Sequence, residues 1–284
     1  MIWNVRKGRA GRTKEVAWRA SALLRPGSKA LVLLIASAAM PAWAQNQAPA
    51  GMALIPAGVY RPLVRDATEP KEVPVKAFYL DRLPVTVGDY LQFVRANPRW
   101  QRSQVQRIFA DESYLKDWSG DLEPGTNTAT DAPVTYVSWF GAKDFARWKG
   151  KRLPSVAEWE HAASASSTRP DGENDPAFKH QVLQWYITPN SSLPGVGTRP
   201  ANFWGVRDLH GLVWEWVLDF NSVMLTGDSR ADSGGLERGL FCGAGSQSAK
   251  DAADYPAFMR FGFRTSLEAN YCIHNLGFRC AKDL

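Results

Sequence analysis

The sequence predicts an α+β fold, and three observations predict it. Helix-length periodicity is confined to the first half of the chain, and the last hundred residues break into short apolar segments separated by glycine. Twelve Trp and 23 Gly suggest many turns built around bulky anchors. With 284 residues the chain can bury a full core as one large domain, expected over residues 51–284.

Taken in order, residues 45–50 open as a flexible polar lead-in. "MALIPAGVYRPL" reads as a short strand and turn around Pro56 and Gly58, and "EVPVKAFYLDRLPV" as a second strand bounded by prolines. Thr86 can then cap "VGDYLQFVRAN", whose Val87, Tyr90, Leu91 and Val94 share one helical face, with Pro98 as the stop. Residues 99–132 form a polar and aromatic excursion with at most one helical piece. "PVTYVSW" reads as a strand running into a cap at Ser138, and the helix "WFGAKDFARWK" ends at Gly150. Ser155 and Glu158 stand at capping-box spacing, which starts a third helix. Beyond Ala165 the reading is loop and short strands, "VLQWY", "GLVWEWVLD", "AFMRFGFRTS" and "NLGFRCA", with no further helix-length pattern.

Residues 1–44 differ from the rest. Eight Lys and Arg stand against Glu15 alone before the uncharged "ALVLLIASAAM", and "AWA" at Ala42–Ala44 offers the small residues a signal peptidase accepts. The apolar run is shorter than the roughly 20 residues a spanning helix needs. A cleaved signal peptide is therefore expected, and a periplasmic or secreted protein free of the membrane after cleavage. The whole chain carries +6, yet without the leader 26 basic residues face 27 acidic ones, a charge of −1. No local excess of Lys and Arg remains to hold phosphates, so nucleic acid is excluded as a partner.

Four segments in fixed order carry a resemblance: "MALIPAGVY", "PVTYVSWFGAKDFARWKGKRLPSVAEWEHAA", "NFWGVRDLHGLVWEWVLD" and "NLGFRCA". Together they resemble the formylglycine-generating enzyme, or sulfatase-modifying factor, family over roughly residues 51–283. The resemblance implies a C-type-lectin-like, loop-rich fold with two to three helices and short twisted sheets. It also implies oxidation of a cysteine in a target peptide, by oxygen and copper held by two cysteines after a Gly-Gly-Ser-type turn. Here the turn is similar to Gly243–Ser246 and the following arginine to Arg264, but no cysteine lies between Gly243 and Tyr271. Asp251 and Pro256, the rough positional counterparts, cannot supply the soft ligands Cu(I) needs. The family's calcium-binding "GN.WEW" element reads "GLVWEW", with Leu212 in place of the amide and Glu215 as the surviving candidate ligand.

Three cysteines occur, all within the last 43 residues. In an oxidising compartment Cys242 and Cys280 are expected to form a structural disulfide, contributing about 3–4 kcal/mol by chain entropy. The resemblance makes that pairing geometrically reasonable, because the family's last strand lies near the turn. Cys272 is left over, and on a strand it would share a face with His274, a candidate pair for copper or iron. His161, His180 and His210 show no ligand spacing and are expected to hold structural hydrogen bonds. The resemblance implies that Ser246 and Arg264 border the substrate groove; Arg260, four residues before Arg264, would share one strand face with it and is the third groove candidate, and an arginine paired with Asp219 or Glu215 is the alternative. The resulting expectation is an exported accessory or maturation protein that acts on or binds an exported protein or peptide, similar to the accessory proteins of copper nitrite reductase. The alternative is a metal-dependent oxidase working near Ser246 and Arg264.

Overall fold

The computed structural model describes residues 48–62, 70–126, 128–172, 174–188, 192–221 and 255–284. All belong to one compact unit, Gln47–Leu284. Cys242 and Ser246 lie outside the described residues, as does the predicted leader.

The expected α+β class holds. β1 (Met52–Ile55), β4 (Phe78–Asp81) and β9 (Ala281–Asp283) form an antiparallel sheet with β4 at its centre. The first and last strands thus flank one central strand, whose core-facing Leu80 and Phe78 leave almost no exposed surface. The first expected strand is in fact two, because β2 (Gly58–Tyr60) turns away to pair with β3 (Val73–Val75). A small β5 (Trp118–Gly120) and β6 (Glu123–Pro124) ribbon decorates the excursion, which contains a 3₁₀ turn at Pro98–Trp100.

α1 (Val87–Ala96) begins with a capping box, in which Thr86 Oγ1 accepts from Asp89 N at 3.1 Å and the Asp89 carboxylate accepts from Thr86 N. Its buried face is Val87, Tyr90, Phe93 and Val94, so Phe93 takes the place expected of the half-buried Leu91. α2 (Trp139–Trp148) starts at Ser138, whose Oγ accepts from Gly141 N, and stops at Gly150 in the left-handed region at φ 67°. Its Phe145 meets Tyr90, Phe93 and Phe278 at ring-centroid distances of 5.2–5.8 Å, and this four-ring contact is the centre of the core.

The predicted strand "PVTYVSW" does not form. Tyr136 takes a left-handed φ of 55°, which breaks the extended run and leaves only a bridge between Pro133 and Thr86.

Two further helices contradict the strand-and-loop reading of the C-terminal half. α4 (Pro176–Ile187) is capped by the Asp175 carboxylate, which accepts from Ala177 N and Phe178 N, with Pro176 in the first turn. It buries only Val182 fully, so it shows no apolar stripe to detect. α5 (Tyr255–Thr265) contains "FMRFGFRT", whose aromatic and glycine content imitates a strand; its Arg260 and Arg264 are ion-paired, as described below. β7 (Trp214–Trp216) and β8 (Leu276–Phe278) pair in parallel and carry the core towards α3 (Val156–Ala163). Among the described residues no helix is long and apolar enough to cross a membrane.

Candidate functional site

α3 starts at the expected capping box: Ser155 Oγ accepts from Glu158 N, and the Glu158 carboxylate accepts from Ser155 N at 2.8 Å. Asp219 joins this end by accepting from Val156 N. With the start fixed, Trp159 is aimed into the core and Glu160 toward α5. One helical position therefore serves the interior and the next serves the candidate groove.

The interior pair is Glu215 with Arg279, both side chains fully buried. Arg279 Nε and Nη2 reach the Glu215 carboxylate at 2.7–3.0 Å, while Nη1 and Nη2 donate to the carbonyls of Asp81, Arg82 and Arg207. Trp159 Nε1 donates to Glu215 Oε2 at 2.6 Å. A buried charge is tolerated only when its hydrogen-bonding capacity is met, and here donors on α3 and the β8–β9 connection meet both oxygens.

The second cluster lies where α3, α4 and α5 meet. Glu160 accepts from Arg260 Nε and Nη2 and from Arg264 Nη1 at 2.6–3.2 Å, and Arg260 Nη1 donates to Tyr186 Oη. Both guanidinium groups also stand over the Trp159 ring, at 5.5 and 5.0 Å from its centroid. The spacing of four that suggested one strand face is one helix face instead, and the carboxylate partner is Glu160 rather than Asp219 or Glu215. Burial works to raise the Glu160 carboxyl, but the two arginines outweigh it and hold it down at about 2. Beside the ions, Trp214 stacks on Phe263 at 4.4 Å and meets Tyr186 edge-on at 5.4 Å. All three rings are half-buried, so the cluster has an aromatic outer face.

The sulfatase-modifying factor enzyme 1-like domain family matches residues 37–284, most of the chain and all of the elements above. The chain belongs to this family. It is 30% identical over 232 residues to the serine/threonine-protein kinase Pkn1 of Chlamydia trachomatis, covering 78% of this chain and 35% of that one. The chain thus spans about a third of that relative's length. It is 28% identical to the inactive C-alpha-formylglycine-generating enzyme 2 of Bos taurus, covering 79% of this chain and 83% of that one. Among solved structures, PvdO from Pseudomonas aeruginosa overlays 82% of this chain and 94% of its own, at 20% identity and a TM-score of 0.45.

Among the described residues of this member of the sulfatase-modifying factor family, the donor atoms fit neither metal that the resemblance implies. Cys272 is buried, its Sγ donates to Asn270 O at 3.4 Å, and burial together with the Asp111 carboxylate pushes the thiol far up. Cys280 is a free thiol with no exposed surface, raised likewise by burial and then by Asp81. Neither offers the accessible thiolate that Cu(I) requires. Its expected disulfide partner, Cys242, lies outside the described residues. Nor do Cys272 and His274 form a ligand pair: the segment is not a strand, and the sulfur is buried while the imidazole is exposed. Glu215 is no calcium ligand here, because Arg279 and Trp159 take both of its oxygens. Among the described residues no group of three or more His, Cys, Asp or Glu could hold a metal ion.

The histidines divide by environment. His161 Nε2 lies 3.1 Å from Pro56 O and packs against Gly58, which has no room for a side chain. His180 sits on the exposed side of α4, near Gln184. His210 is buried, with Nε2 2.9 Å from Ala163 O and the rings of Trp159, Phe178, Trp185 and Tyr186 around it. Burial, reinforced by Arg260, lowers its pKa to about 4. From pH 6.5 down to 4 the unfolded chain takes up a proton that folded His210 refuses, so stability falls with pH across that window. Below it, Glu160 removes more stability between about 4.5 and 2 as its carboxylate is protonated. The expected loss is about 3 kcal/mol for each group. His210→Gln should flatten the upper limb of a urea-unfolding series between pH 6.5 and 4 while leaving the lower one in place.

Sequence reasoning missed Glu160 as the hub. The signal was present in "EWE": one turn of a capped helix whose middle Trp faces inward turns the next residue toward a neighbouring element.

Proposed function

We propose that the chain is an exported accessory protein of the formylglycine-generating-enzyme type, which binds a periplasmic protein or peptide without copper-dithiolate oxidation of cysteine. One observation carries this reading. Of three cysteines, two are buried, and burial raises the pKa of both thiols, so a two-thiolate copper site would lack its second accessible ligand. The likeness to a mammalian relative named as inactive supports it, and the basic leader with its "AWA" end supports export. Within the cluster, Glu160 already engages Arg260 and Arg264, which makes them a scaffold; the half-buried Trp214, Phe263 and Tyr186 supply the surface for a partner. A copper nitrite reductase system is the setting favoured by the likeness of "GLFCG", "LHGLVWEW" and the closing "KDL".

The experiment has two arms. Purified chain given Cu(I), oxygen and a cysteine-bearing peptide should return the peptide with its thiol intact by mass spectrometry; conversion to an aldehyde would establish the oxidase alternative. Affinity capture from a periplasmic extract should recover a partner with the wild type and lose it with Trp214→Ala. Equal recovery by both would remove the aromatic face from the reading.

A further inference from the structure

Well separated in sequence from the arginine cluster, a cavity of about 180 Å³ opens between the start of α1, the start of β5 and the loop leading to Thr135. Its walls are mixed. Trp118, Val87 and Pro133 give apolar surface, Thr128 and Thr135 add hydroxyl-bearing side chains, and Asp117 supplies the charge. No Lys or Arg is among its described lining residues.

The cavity's frame is held from both sides. Val87 N and Gly88 N, two of the first free donors of α1, are taken by the carbonyls of Ala132 and Thr130 at 2.9 Å. Val134 N donates to Val85 O and Val196 N to Asp131 O, also at 2.9 Å. At Gly195 an added side chain would come within 2.5 Å of the Asp131 carboxylate, which would have to swing aside. Leu115 and Tyr136, both non-glycine residues in the left-handed region at φ 48° and 55°, are joined by Leu115 N donating to Tyr136 O. Conformations of this kind persist where surrounding structure over-determines them, and they concentrate at binding sites. Leu115 stands three residues before Trp118, and Tyr136 directly follows Thr135.

We infer that this cavity binds a primary alkylammonium group, with the ammonium at Asp117 and a short apolar stem against Trp118 and Pro133. Size agrees, since a 150 Å³ apolar cavity accommodates a ligand of about six heavy atoms. Sign agrees too: with Asp117 the one charged group among the described lining residues, the site repels anions and favours an ammonium over a neutral isostere. The chemistry is shared by free small amines and by the side chain of lysine.

Calorimetric titration of the purified chain at pH 7 tests this with n-butylammonium, n-butanol, butyrate and Nα-acetyl-lysine methylamide. n-Butylammonium should bind saturably with Kd on the order of 1 mM, n-butanol about tenfold more weakly, and butyrate not at all. Asp117 is exposed, so Asp117→Asn should fold normally and weaken n-butylammonium about tenfold, while Ala132→Leu should fill the cavity and abolish binding. If the lysine derivative binds as n-butylammonium does, the site takes lysine side chains; if only n-butylammonium binds, it takes free amines. No saturable binding of either amine, or an affinity that Asp117→Asn leaves unchanged, overturns the assignment.

Discussion

Glu215→Gln is expected to destabilise the protein by about 3–5 kcal/mol, the range for breaking a fully buried ion pair by removing one partner. The neutral amide keeps the shape of the carboxylate but leaves the Arg279 guanidinium uncompensated at zero exposure, and turns an NH₂ toward donors that expected an oxygen. Because Arg279 also holds the carbonyls of Asp81, Arg82 and Arg207, the damage reaches the central strand β4 and the loop before β7. Urea unfolding followed by tryptophan fluorescence reads the effect directly. A loss below about 1 kcal/mol would show that water reaches the pair and that the core is not organised around it.

Glu160→Gln should be the next most damaging change, at about 3 kcal/mol, because two guanidiniums with a tenth of their side-chain surface exposed lose their shared anion. The change is expected to be regional. α5 buries only Pro256, Arg260 and Arg264, so its attachment to α3 and α4 depends on these ion pairs more than on apolar area. Amide hydrogen exchange over Tyr255–Thr265 should accelerate at least tenfold in the variant while the β1–β4–β9 sheet keeps its protection. Uniform acceleration across the protein would instead make Glu160 part of the global core. The variant should also lose the acid limb between about pH 4.5 and 2 that the wild type owes to this carboxylate.

The early half of the fold is legible in the sequence because local signals and tertiary packing agree there. Thr86, and Ser155 with Glu158, mark helix starts that the structure keeps, and Gly150 marks a stop. The later half is not, for two physical reasons. α4 lies on the surface with one fully buried residue, so no apolar period announces it, and only Asp175 followed by Pro176 could have done so. α5 is held by charges that pair across a hundred residues, and periodicity cannot report a partner that distant. The same limit hid the candidate site. Arg260 and Arg264 are visible as a pair four apart, but their meaning changes once Glu160 is opposite them. "WEW" is visible as a strand, but nothing local says that Glu215 is spent on Arg279. Tyr136 shows the converse, where an apolar run reads as a strand until one left-handed residue turns it.

This family member keeps the scaffold, and we propose that it does so without a copper-dithiolate site. The most direct test is the Cu(I) stoichiometry of the purified reduced chain, measured by competition with a chromogenic Cu(I) chelator. The expected result is no tightly held copper in the wild type and an unchanged profile in Cys272→Ser. One equivalent of Cu(I) per chain, lost in Cys272→Ser or Cys280→Ser, would contradict it and put a thiolate site where the structure holds buried, protonated sulfur.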